Sequence, residues 1–112
     1  MKLENVFKED KLEEILVANW TQFLDSSKLL GFVLKNVKEN INNLAVINSK
    51  ELKRKGPSIT LSRFYRINTG FSLWVEFHVP IDENKTSEGT MELYLSSNGI
   101  ITYVTMTGNI YF

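Results

Sequence analysis

The sequence predicts an α+β domain: two N-terminal helices packed on one face of a four- to five-stranded antiparallel meander, an open sheet able to curl into a cone. Three observations carry that expectation. Before about residue 56, apolar side chains recur at three- and four-residue steps. Beyond it they alternate with period two, and turn signals at hairpin spacing separate the alternating stretches.

Asp10 can cap a first helix, with Glu13 as the reciprocal partner of a capping box. Leu12, Ile15, Leu16, Trp20, Phe23 and Leu24 form its apolar stripe. The Asp25-Ser26-Ser27 stretch stops that helix and can cap a second, striped by Leu30, Val33, Leu34, Val37, Ile41 and Leu44. Gly31 weakens the start of this second helix by about 1 kcal/mol relative to alanine. The helical part is thus 9–44. Residues 45–57 are a basic connector that suits a short helix from Ser49, and Pro57 stops any helix from running on.

The sheet region is 58–112, with strands expected at about 58–67, 71–81, 90–97 and 100–106. Asn68-Thr69-Gly70 suits a three-residue hairpin loop with Gly70 in the left-handed position, and Asn98-Gly99 a type I′ turn. Residues 81–89 make a longer, polar hairpin loop. Gly108 suits a bulge or kink before a short terminal strand. Cystatin-like open-cone folds share this plan, an analogy of architecture alone.

At 112 residues the chain is a single domain, 1–112, of a size that buries a real core. Thirteen basic and thirteen acidic side chains cancel, so no whole-molecule field recruits nucleic acid or an acidic membrane. There are no cysteines, which excludes disulfides and thiolate chemistry and fits a reducing compartment. The opening MKLENVFKED carries no apolar signal region, and the longest apolar run, LLGFVL at 29–34, is far short of a membrane span. A cytoplasmic location is the expectation.

FSLWVEFHVP, residues 71–80, alternates cleanly. Phe71, Leu73, Val75, Phe77 and Val79 suit a core, while Ser72, Trp74, Glu76 and His78 share the other face. If Ile67 pairs with Phe71, Phe64 lies opposite Trp74 and Thr60 opposite His78. If Ser97 pairs with Ile100, Tyr94 lies opposite Tyr103, Ser96 opposite Ile101 and Glu92 opposite Thr105. The second face then collects Phe64, Trp74, Tyr94, Ile101 and Tyr103, with Glu76, His78 and Glu92 among them. Met91, Leu93, Leu95, Thr102, Val104 and Met106 fall on the core side. Aromatic pairs stabilise sheets without any function, but several in one patch mark an interface, with Trp and Tyr the favoured anchors.

Arg63 breaks the alternation, because strict period two puts it on the core side with Ile59, Leu61, Tyr65 and Ile67. A bulge within the strand or a place at the sheet's end resolves this better than a buried guanidinium in an anion pocket.

Catalytic signals are sparse. His78 is the sole histidine, and a Thr60–His78–Glu76 arrangement is more simply surface packing than a hydrolytic site, so no catalytic residue is assigned. The Asp82–Glu88 stretch lacks the sixth-position glycine of an EF-hand and has Leu93 in place of its final carboxylate, so no metal or cofactor is expected. Lys50–Lys55 is a basic cluster without interleaved aromatics, a solvated linker rather than a nucleic-acid patch.

The expectation is a non-catalytic protein-binding module, of the kind that includes immunity proteins neutralising a cognate toxin. It would engage its partner through Phe64, Trp74, Glu76, His78, Glu92, Tyr94 and Tyr103, with Asp82 and Glu83 on the acidic loop. The alternatives are a ligand-binding or enzymatic cone with a pocket near Trp74, His78 and Tyr94, and a homodimer formed through the aromatic face. Neither nucleic acid nor membrane is expected as a partner.

Overall fold

A computed structural model describes Phe7, residues 24–47 and residues 57–111. Their elements are helix α1 (Ser26–Glu39), a 3-10 turn (Ile41–Asn43) and strands β1 (Ala45–Ile47), β2 (Ser58–Ile67), β3 (Gly70–Pro80), β4 (Thr86–Leu95) and β5 (Ile101–Tyr111). The fold is α+β.

Asp25 caps α1 as its sequence suggests: the side chain accepts the Lys28 backbone N–H at 3.1 Å. Leu29, Val33 and Val37 are buried one turn apart, flanked by Leu30 and Leu34. The helix stops at Glu39, so Ile41 and Leu44 lie beyond it rather than on its stripe. The first expected helix lies outside the described residues, apart from the end of its stripe. There Leu24 forms an isolated antiparallel bridge with Phe7, and both side chains are buried.

The sheet order is β1-β5-β4-β3-β2. Strands β2 to β5 form the expected antiparallel meander, but β1 pairs parallel with β5, Ala45 beside Asn109. The sheet is therefore mixed. Three residues read from sequence as connector form its edge, since a three-residue strand is too short to display a period. Residues 48–56, where the short helix was expected, lie outside the described residues.

The terminal residues extend β5 instead of forming a separate strand. Gly108 does not break it, because it sits directly opposite Gly89. A Cβ on Gly89 would come within 2.6 Å of the Gly108 Cα and 3.0 Å of the Phe77 ring. Both glycines serve close backbone approach.

The turns correct the expected registers. Ile67 pairs with Gly70, whose φ is 152°, so the first hairpin loop is only Asn68-Thr69. At 96–99 Asn98 has a negative φ and Gly99 alone is left-handed at 85°, so the turn is not type I′. Ser96 organises it: its carbonyl accepts the Gly99 N–H at 2.9 Å, and its hydroxyl accepts the Ile100 N–H at 3.2 Å. Between Tyr94 and Leu95 the register then shifts, Thr102 is left unpaired, and Ile101 turns to the core opposite Leu95. Thr102 is exposed, contrary to expectation.

A second bulge lies in β2. Leu61 pairs with Val75 and Arg63 with Trp74, leaving Ser62 as the extra residue. Phe64 consequently faces the core, opposite Leu73, stacked on Phe71 at 5.2 Å and touching Phe7 at 5.8 Å. Arg63 leaves the core side altogether. The core joins α1 to the aliphatic sheet face through Phe71, Leu73, Val75, Phe77, Val79, Met91, Leu93 and Leu95, all almost fully buried. Each such side chain stabilises the fold by about 1.5–3 kcal/mol.

Candidate functional site

The observed registers order the sheet's second face into rows that cross it from β2 to β5. One row is Tyr65, Ser72, Tyr94 and Tyr103; the next is Arg63, Trp74, Glu92 and Thr105. These two rows form a single connected cluster. Ser72 Oγ donates to Glu92 Oε2 at 2.7 Å, and Tyr94 Oη donates to Glu92 Oε1 at 2.8 Å. Glu92 is only 9% exposed and Ser72 is fully covered, so this polar pair forms a floor beneath the aromatic rings.

The rings are held in turn. Trp74 Nε1 donates to Tyr65 Oη at 3.4 Å, and the Arg63 guanidinium lies 6.0 Å from the indole centroid. Tyr94 and Tyr103 lie 5.8 Å apart with planes tilted by 44°. Tyr103 is nevertheless 62% exposed and Tyr65 36%. The hydrogen bond to the Glu92 carboxylate, together with burial and the carboxylate's charge, raises the Tyr94 phenol above its ordinary value. As an arrangement of groups, the cluster offers aromatic surface fixed on rigid strands, with hydroxyls at the rim and a carboxylate beneath.

Of the residues expected on this face, Trp74, Glu92, Tyr94 and Tyr103 come together. Phe64 does not, because the Ser62 bulge places it in the core. Glu76 is exposed in the next row, beside Thr60 and Thr90. Thr60 therefore faces Glu76, and Ser58, not Thr60, faces His78.

His78 lies two rows from Trp74 and is 7% exposed, with Nδ1 3.7 Å from Glu88 Oε2 and Nε2 buried without a hydrogen-bond partner. Asp82 and Glu83 are exposed at the loop beyond Pro80, where Asp82 accepts the Asn84 N–H at 2.7 Å. From Trp74 to Pro80 the strand runs roughly 20 Å in extended conformation, so the acidic loop is not adjacent to the aromatic cluster.

Sequence reasoning placed Ser72 on this face and offered a bulge for Arg63, but did not carry the bulge through to bring Arg63 and Tyr65 into the cluster. Arg63 was the available signal, since a cation out of phase in an otherwise apolar alternation marks a bulge. With the bulge placed, Tyr65 comes to the same face two residues later.

Among the described residues, clefts also lie away from this face. One, of about 190 Å³, opens between the start of α1 and β2, lined by Leu24, Leu29, Leu30, Pro57, Ile59 and Leu61 among others. Another runs along the outer face of α1 by Gly31, Leu34, Lys35, Lys38 and Glu39. Among the described residues, no three potential metal ligands come together, and no helix is long and apolar enough to cross a membrane. Searches of protein-family models, of curated proteins and of solved structures returned no significant match to the chain.

Proposed function

We propose that the chain is a protein-binding module that engages its partner through the cluster of Tyr65, Trp74, Tyr94 and Tyr103. One observation carries this reading: Tyr103 is 62% exposed in the same cluster as a buried carboxylate that already has two hydroxyl donors. The polar floor is satisfied within the fold, so the rings above it are held in place before any partner arrives. Such preorganised aromatic anchors on rigid strands bind with little loss of side-chain freedom. The toxin-neutralising role expected from the sequence is one job within this class, and the face supplies no residue that singles it out.

The test is an affinity capture with wild type and Trp74→Ala side by side, each checked for an intact fold by its thermal unfolding. A stoichiometric protein retained by wild type alone supports the reading. Equal capture by both folded forms, or capture by neither, overturns it.

A further inference from the structure

Among the described residues, the charges along α1 and those on the sheet's second face differ in sign. Along α1, Lys28, Lys35 and Lys38 stand against Glu39, three cations to one anion, and all four are exposed. On the second face, Arg63 stands against Glu76, Glu88 and Glu92, one cation to three anions. The chain as a whole is neutral, so the acidity of the sheet face is a local property that composition hides.

We infer that the occupant of this face is a cationic protein surface, whose lysine or arginine side chains lie over Tyr94 and Tyr103, beside the indole that Arg63 already covers, and reach Glu76 and, further along the face, Glu88; this rests on reading the face as a docking surface. Two separate features select a cation. The ring faces carry negative quadrupole charge, which attracts ammonium and guanidinium groups. One row beyond Trp74, Glu76 is exposed, and in the row after it the Glu88 side chain is 44% exposed with His78 as its near neighbour, so an occupant spanning the face would strip water from carboxylates that have few fixed partners.

A neutral apolar occupant leaves those charges desolvated and uncompensated. An anionic one, nucleic acid included, meets like charge. A second copy seated face to face would oppose two acidic faces, which disfavours that dimer for the same reason.

The experiment uses the full chain, labelled for amide and indole resonances, and three short peptides of matched length. One alternates lysine with threonine, one glutamate with threonine, and one glutamine with threonine. The expected result is that the lysine peptide alone shifts the signals of Trp74, Tyr94 and Tyr103, and that added salt weakens the effect. Glu76→Gln combined with Glu88→Gln should lower its affinity by about tenfold, whereas Glu39→Gln on α1 should leave it unchanged.

A stronger response to the glutamate or glutamine peptide, shifts confined to Asp82 and Glu83, or no shift on the face at all overturns the cationic occupant. Self-association in sedimentation that protects the face without peptide does the same, in favour of a second copy. The docking reading is judged separately by the Trp74→Ala capture. A partner that depends on Trp74 but presents an acidic or apolar surface would leave that reading standing and this one refuted.

Discussion

Arg63 lies directly opposite Trp74 across β2 and β3, its guanidinium 6.0 Å from the indole centroid, and it is there because Ser62 is one residue too many. The bulge converts an apparent core arginine into a face residue and sends Phe64 inward. It also bends β2, the outermost strand of the meander. Together with Arg63 and Arg66, that discourages pairing of this edge with another chain.

Deleting Ser62 tests this account. Without the extra residue, Ile59, Leu61 and Phe64 still reach the core and Thr60 and Arg63 the second face, now in unbroken alternation. The deletion is expected to fold with stability within about 1 kcal/mol of wild type in chemical denaturation. It should also aggregate faster, because the edge becomes flat. Collapse of the fold would show that the bulge is required by packing. Deleting Arg63 instead restores the same alternation but leaves Ser62 opposite Trp74, so that variant should fold alike and lose the guanidinium beside the indole.

How far the fold could be read from sequence depends on the same residues. The β3 alternation from Phe71 to Val79 was legible because every member keeps phase, and the Tyr94–Tyr103 and Glu92–Thr105 pairs came correctly from the last hairpin. Phe64 was misplaced because the two-residue loop pairs Ile67 with Gly70 instead of Phe71, a one-residue slip that the Ser62 bulge then absorbs, and Ile101 because the extra residue Thr102 inverts its face. β1 was illegible for another reason. Its pairing with β5 is a long-range parallel contact, which no local pattern announces. The buried Ser72–Glu92 contact spans two strands and likewise needed the register before it could be seen.

That contact gives a second prediction. Ser72→Ala removes a donor from a buried carboxylate and should destabilise the fold by about 1.5–3 kcal/mol. Glu92→Ala strands the Ser72 hydroxyl as well and should cost more, while Glu92→Gln, which keeps an acceptor, should cost less. In a double-mutant cycle of Ser72→Ala with Glu92→Leu, the combined loss should fall clearly short of the sum. Strict additivity would mean the hydrogen bond contributes nothing measurable.

Glycine substitutions should separate by position in opposite directions. At Gly89, a methyl group would press on the Thr107 carbonyl oxygen and on the Phe77 ring, so Gly89→Ala should lower stability by several kcal/mol, on the order of the largest point-mutant effects. At Gly31, nothing lies within 4 Å of the added atom and the residue is helical. Gly31→Ala should therefore stabilise the protein by about 0.5–1 kcal/mol. Equal effects at the two sites, read as shifts in the denaturation midpoint, would contradict the Gly89–Gly108 approach.

The last prediction concerns alkaline pH. The Tyr94 phenol donates to the Glu92 carboxylate, and ionising it would destroy that bond and set two negative charges together, so its pKa is raised above 10.0. A phenol whose folded pKa exceeds its unfolded value favours the folded state while it keeps its proton. That contribution is fully present below pH 10 and is lost as the pH climbs through the raised value. In a spectrophotometric titration, comparison of wild type with Tyr94→Phe should assign the late phenol to Tyr94. In Glu92→Gln, ionisation of Tyr94 should return toward 10.0, because the carboxylate accounts for the largest part of the shift. An unchanged Tyr94 titration in that variant would place the cause in burial rather than in the hydrogen bond, and the floor beneath the aromatic face would lose its charged acceptor as the explanation of its order.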